Sequence, residues 1–153
     1  SVIRSYVGHV QACDADGWYD TGDIGFVHEG EVFISGRAKD VITRAGLNVS
    51  PQELEWVVEE ALALKEGSAA AFSYTDSALA QERVVVVVAK RPESADADSV
   101  RHQIAVAVAK GTGIQLDEVI FVKRSSLPKT TSGKIQRGAL RNARLRGELI
   151  SLI

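Results

Sequence analysis

Arg83-Val84-Val85-Val86-Val87-Val88-Ala89-Lys90 is the stretch whose reading decides the fold. A strand with one wet face alternates apolar and polar residues, because its side chains point to opposite faces in turn. Five consecutive valines leave no polar face. The run therefore predicts a central strand covered on both sides. Working outward, Gly67 to Tyr74 reads as a neighbouring strand and Glu118 to Val122 as a third. Asp96 to Lys110 reads as a helix with Val100, Ile104, Val106, Ala107 and Val108 as its apolar residues. Asp98 or Ser99 is expected to cap it and Gly111 to stop it. Ser50-Pro51-Gln52-Glu53 is a helix start, with Ser50 as N-cap, Pro51 at the first helical position and Glu53 completing a capping box. Leu54, Val57, Val58, Ala61 and Leu62 then form one buried stripe. Val41-Ile42-Thr43 is a short strand, and residues 44–49 are a loop or a second short strand. Residues 137–149 form a last helix. The expected class is α+β, a small sheet of about three main strands covered by helices.

Before that unit, Phe26-Val27-His28 and Val32-Phe33-Ile34 flank Glu29-Gly30, which predicts a hairpin. Residues 1–38 lack enough apolar residues for a core of their own. The short apolar run Val2, Ile3, Tyr6 and Val7 reads as the end of something larger. The chain starts on Ser1 and contains no methionine, which leads us to expect a piece of a longer protein. Gly36-Arg37-Ala38-Lys39-Asp40 places alternating charges between two apolar strands, as at a boundary between rigid bodies. The ordinary alternative is a charged turn.

The net charge of −2 argues against nucleic-acid binding by bulk electrostatics. One cysteine, Cys13, allows no intrachain disulfide and favours a reducing, cytoplasmic setting. No apolar run approaches the ~18 residues of a membrane span. The charge is uneven, however. From Lys123 onward Glu148 is the only acid among Lys123, Arg124, Lys129, Lys134, Arg137, Arg141, Arg144 and Arg146. Such an excess needs an anionic partner or an acidic surface to lie against.

The chemistry concentrates in Pro128-Lys129-Thr130-Thr131-Ser132-Gly133-Lys134-Ile135-Gln136-Arg137. Gly133 and the small hydroxyl residues let backbone N–H groups approach an anion, and Lys134 adds a mobile positive charge. A P-loop would need glycine where Pro128 stands. The alternative is a solvated basic loop before a surface helix. Asp23, in Tyr19-Asp20-Thr21-Gly22-Asp23, is open to two readings as well. It is a turn residue bonding its own backbone, or a carboxylate that holds two sugar hydroxyls.

The order of these three motifs, Tyr19 to Asp23, Gly36 to Asp40 and Pro128 to Arg137, resembles the C-terminal third of the acyl-adenylate-forming, AMP-binding enzymes. The resemblance implies residues 1–38 as the end of a large N-terminal domain and 39–153 as a mobile C-terminal domain. It implies activation of a carboxylate with ATP and Mg2+, both bound mostly by the N-terminal domain, with no metal held by this chain's own residues. Asp23 matches the ribose-binding aspartate and Arg37 the arginine near ribose and phosphates. Lys39 matches the hinge residue. Lys134 matches the lysine that contacts the carboxylate and α-phosphate. Gly46 matches a glycine of the loop that approaches the pantetheine thiol; its neighbours Ala45 and Leu47 depart from the glycine and polar residue frequent there. Residues 127–137 and Arg146 to Leu149 look most like fatty acyl-AMP ligases, which pass the acyl group to an acyl carrier protein. A fatty acyl-CoA synthetase, with CoA as acceptor, is the alternative. A reading of another class is a non-catalytic module that docks a carrier protein through its basic tail.

Overall fold

The computed structural model describes residues 13–76, 80–90 and 96–152. The apolar run Val2 to Val7 lies outside the described residues. The chain divides into two units, Ser1–Lys39 and Asp40–Ile153, one residue later than the expected 38/39 boundary.

In the first unit β1 (Asp23–His28) pairs antiparallel with β2 (Glu31–Arg37). The turn is Glu29-Gly30, with φ of +51° and +82°. Two left-handed residues match the twist of the flanking strands, which is why short hairpins use them. The register shifts between Ile24 and Gly25. Phe26 stacks on Phe33 at 5.3 Å. Even so, Trp18, Phe26, Val27, Val32 and Ile34 are 58–76% exposed, too much apolar surface for a unit with its own core.

The second unit is built around the valine run. β5 (Ala69–Asp76), β6 (Gln81–Val88) and β7 (Glu118–Phe121) form a sheet in that order. β5 pairs antiparallel and β7 parallel to β6, so β6 is central. Val84 to Val88 are all 0% exposed. The two faces of the run enter different cores. Val84, Val86 and Val88 pack with Ala69, Ala71 and Phe121 under Leu54, Val58, Ile104 and Val108. Val85 and Val87 pack with Ala70, Phe72 and Ile120 under Leu127 and Leu140. The first face is covered by α1 (Pro51–Ala61) and α2 (Ala97–Thr112), the second by α3 (Arg137–Leu145). Each buried valine contributes roughly 1.5–3 kcal/mol, so polar substitution anywhere in 84–88 is costly.

The local starts and stops agree in part with the sequence. Ser50 Oγ accepts the Glu53 N–H at 3.3 Å, the first half of the expected capping box. The α2 expectations need correction. The cap is Asp96, with no side-chain cap bond, and the helix runs past Gly111 to end at Gly113 with φ +75°. Gly111 is helical, and its bare Cα faces Val57: an added Cβ would stand 3.1 Å from Cγ2 of that residue. α3 is also four residues shorter than expected. Gly147 takes φ +70°, its N–H donates to Arg144 O, and the Glu148 N–H donates to Ala143 O. That double bond closes a helix end through a left-handed glycine.

α1 holds a surprise for a simple amphipathic reading. Glu55 and Glu59 are 7% and 8% exposed. Glu59 Oε1 accepts the N–H groups of Ser68 and Ala69 at 2.7 and 2.8 Å, and Glu55 Oε1 accepts that of Ala71 at 2.9 Å. Ala69 and Ala71 belong to an edge strand and Ser68 directly precedes it, and their donors must be satisfied once α1 covers them.

Candidate functional site

Asp23 and Arg37 are the first residue of β1 and the last of β2, and the register places them opposite each other. Asp23 Oδ1 lies 3.0 Å from Arg37 Nε. The turn role is taken by a different carboxylate: Asp20 Oδ1 accepts the Gly22 N–H at 2.7 Å. Thr21 Oγ1 accepts the Asp23 N–H at 3.1 Å, and Gly22 O accepts the Ala38 N–H at 2.9 Å. The loop before Asp23 is thus tied across the hairpin end. Side-chain exposures of 29% for Asp23 and 56% for Arg37 leave both charged heads within reach of a ligand. A carboxylate beside a guanidinium suits a nucleotide, whose ribose offers hydroxyls and whose phosphates carry negative charge. Lys39 follows in a 3-10 turn, Ala38–Asp40, and is the last residue of the first unit.

In the second unit, residues 128–136 close on themselves. Gln136 N–H donates to Pro128 O at 2.9 Å, Lys129 bridges Ile135, and Thr130 N–H donates to Lys134 O at 2.8 Å. Inside the turn Gly133 N–H donates to Thr130 O, Lys134 N–H donates to Thr130 Oγ1 at 3.1 Å, and Thr130 Oγ1 and Ser132 Oγ lie 2.9 Å apart. Gly133 sits at φ +82°. The expected backbone cradle for an anion is therefore not what the loop provides. The Thr130 and Ser132 hydroxyls and the Thr130, Gly133 and Lys134 N–H groups hold the turn together, and Lys129 and Lys134 are both exposed on it.

Gly46 lies in another turn, between β3 (Ile42–Arg44) and β4 (Leu47–Val49). Ala45 and Gly46 have φ of +50° and +81°, and an added Cβ on Gly46 would meet nothing within 4 Å. The hairpin is anchored at its base. Arg44 bonds both oxygens of Asp117 and the carbonyl of Glu82, and Asp117 also accepts the Val84 N–H at 2.8 Å and lies 3.5 Å from Arg83. Burial pushes the Asp117 carboxyl up, but the Arg44 and Val84 hydrogen bonds outweigh it and hold it below the usual aspartate range.

Part of the basic tail is paired within the unit. Arg137 donates to both oxygens of Glu55 at 2.7 and 2.6 Å, Arg144 donates to Glu118 at 2.8 Å, and Arg146 forms two bonds to Glu148. Each of these arginines is raised above its ordinary value, first by its carboxylate's hydrogen bond. Burial raises the Glu55 carboxyl, and Arg137 pulls it back in part. Arg137 and Arg144 thus meet carboxylates of their own unit and Arg146 meets the tail's own Glu148, while Lys123, Arg124, Lys129, Lys134 and Arg141 stay exposed. Sequence reasoning missed Glu55, Glu59 and Asp117. The available signal was two glutamates four apart beside the apolar stripe of α1, and an aspartate at the entry to β7.

Comparison with known proteins places these loops in a family. The family described as Disco-interacting protein 2-like, AMP domain, matches residues 39–151, which include Gly46 and Lys134. A putative acyl-CoA synthetase of Caulobacter vibrioides is 40% identical over 153 residues, covering 96% of this chain and 26% of that protein. The medium-chain-fatty-acid–[acyl-carrier-protein] ligase JamA of Moorena producens is 39% identical over 135 residues, 84% of this chain and 22% of its own length. The solved structure of McyG A-PCP complexed with phenylalanyl-adenylate aligns with a TM-score of 0.72 at 32% identity, over 86% of this chain and 24% of that one. The chain spans about a quarter of the length of the curated relatives it matches. Among the described residues no helix is long and apolar enough to cross a membrane. With the match running through the Gly46 hairpin and the Lys134 turn, the chain belongs to the acyl-adenylate-forming, AMP-binding family and carries its C-terminal α+β domain.

Proposed function

We propose that the chain is the C-terminal part of a cytoplasmic fatty-acid-activating ligase. In this reading residues 1–38 complete a large N-terminal domain and 39–153 form a domain that turns about Lys39. The fatty carboxylate attacks the α-phosphorus of Mg·ATP, an acyl–O–P bond forms, and pyrophosphate leaves. Asp23 holds the ribose hydroxyls and Arg37 lies beside ribose and phosphates. Two anions meet in that step, and Lys134 places its ammonium where negative charge builds. In the second step a phosphopantetheine thiol, past the Gly46 turn, attacks the acyl carbonyl. It loses its proton, and AMP leaves. ATP and Mg2+ are held mostly by the N-terminal domain.

One observation supports this most: the turn at 128–136 is braced from within by Thr130 and carries an exposed Lys134 beside its left-handed Gly133. The similarity to JamA, named as a ligase of an acyl carrier protein, favours a carrier-protein thiol as acceptor. The similarity to a putative acyl-CoA synthetase favours a second reading, with CoA as acceptor. The test gives the full-length enzyme Mg·ATP, a mid-to-long-chain fatty acid and CoA, and reads products by mass spectrometry. Acyl-AMP that persists with CoA present is the expected result. Efficient acyl-CoA formation selects the second reading, and absence of both acyl-AMP and acyl-CoA rejects both.

A further inference from the structure

We propose that Glu55 is a positioning residue for Lys134, acting through Arg137 to fix the lysine turn against α1 and β5. The proposal rests on the adenylation role given to Lys134 above. Its basis is an unbroken set of short links. Glu55 Oε1 accepts the Ala71 N–H of β5 at 2.9 Å, which holds the carboxylate in place. The same carboxylate receives Arg137 Nε at 2.7 Å and a terminal guanidinium nitrogen at 2.6 Å. A planar two-point bond sets orientation as well as distance. Arg137 is the first residue of α3, and the residue before it, Gln136, closes the base of the turn on Pro128 O at 2.9 Å. Lys134 O is itself bonded within the turn. Ile135 packs on the second core, so the base is held from both sides.

A buried ion pair is weak grounds for a stability role, because apolar replacement of both partners is often neutral or favourable. Here the pair is 18% and 9% exposed and spans 82 residues of sequence to reach the base of the lysine turn. Asp40, the first residue of the second unit, also acts electrostatically on Arg137.

The experiment uses the full-length enzyme and four proteins: wild type, Glu55→Gln, Arg137→Lys and the apolar pair Glu55→Leu/Arg137→Met. Acyl-AMP formation, acyl transfer from supplied acyl-AMP, and Tm are measured on each. Misplacing a catalytic group by about 1 Å costs about 10²-fold. Glu55→Gln should therefore lose about that much kcat in adenylation, with little change in KM for ATP and a much smaller loss in transfer. Arg137→Lys, which keeps the charge but not the two-point geometry, should fall between it and wild type. The apolar pair should regain Tm without regaining adenylation. Adenylation that returns together with Tm, or equal loss of both half-reactions, overturns the proposal. So does failure of both the Gln variant and the apolar pair to fold, which assigns the ion pair to stability. If wild type makes no acyl-AMP, the function itself fails, and that outcome is distinct from the others.

Discussion

The turns at Ala45-Gly46 and at Thr130 to Lys134 are both hairpin closures in the second unit, yet they are built in opposite ways. The first is two residues long, takes left-handed φ at both, and is braced only from its strands, where Thr43 Oγ1 donates to Asn48 Oδ1 at 2.8 Å. Its apex is bare backbone. The second is braced from within by Thr130 and Ser132, and its apex leads to a charged side chain. Their anchors differ as well. Arg44 ties the first to Asp117, and Arg137 ties the second to Glu55. The contrast fits two tasks on one body: a backbone turn allows another molecule to pass close, and a braced turn aims a point charge. One rigid unit can present each to a different step if it swings between them.

The largest expected effect tests that division at its charged end. Lys134→Ala in the full-length enzyme should cost about 10²–10³-fold in acyl-AMP formation, with transfer from supplied acyl-adenylate retained. Rapid-quench assays of the two half-reactions decide it, and parallel loss in both would remove the distinction between the turns.

Next in size is the anchor of the first turn. Asp117→Ala strands Arg44 and the Val84 N–H, and should lower stability by about 3 kcal/mol, the low end for a broken buried pair because Asp117 keeps some exposure. The pH dependence has a definite sign. Asp117 is depressed in the folded state, so its contribution is present above the unfolded value of about 3.9 and is lost as pH falls through the lower folded value. Melting curves of wild type and Asp117→Ala should converge in acid. Curves that stay parallel down to strongly acidic pH would contradict the assignment.

A third test addresses the swing itself. Lys39→Pro locks φ near −65° and disfavours the helical backbone of Ala38, which opens the 3-10 turn. One half-reaction should fall by about tenfold, or 1.4 kcal/mol, more than the other. Equal rates would move the hinge elsewhere. The smallest effect sharpens the comparison at Ala45, a non-glycine residue at φ +50°. Ala45→Gly should stabilise by about 1 kcal/mol and Gly46→Ala should destabilise by a similar amount. Chemical denaturation can resolve both.

Legibility was uneven for physical reasons. The Glu29-Gly30 hairpin, the Ser50-Pro51 helix start and the doubly covered valine strand could all be read, because each depends on neighbours within a few residues. The helix ends could not. Gly111 and Gly113 differ little as sequence, but only the first faces Val57, and only the second takes left-handed φ. Nor could the sequence show that Asp23 stands opposite Arg37, which the register of the hairpin sets.

The sequence by itself determined the α+β class and the central strand, since periodicity and turn chemistry are local properties; Asp23, Arg37, Lys39, Gly46 and Lys134 were named by the resemblance of their motifs, and their roles belong to the proposal. Only the tertiary structure decided which charges belong together. Arg44 meets Asp117 across 73 residues and Arg137 meets Glu55 across 82. A charge carries no mark of its partner in the sequence. Burial selects the partner, because a carboxylate leaving water beneath a helix needs donors at the one place the packing puts it.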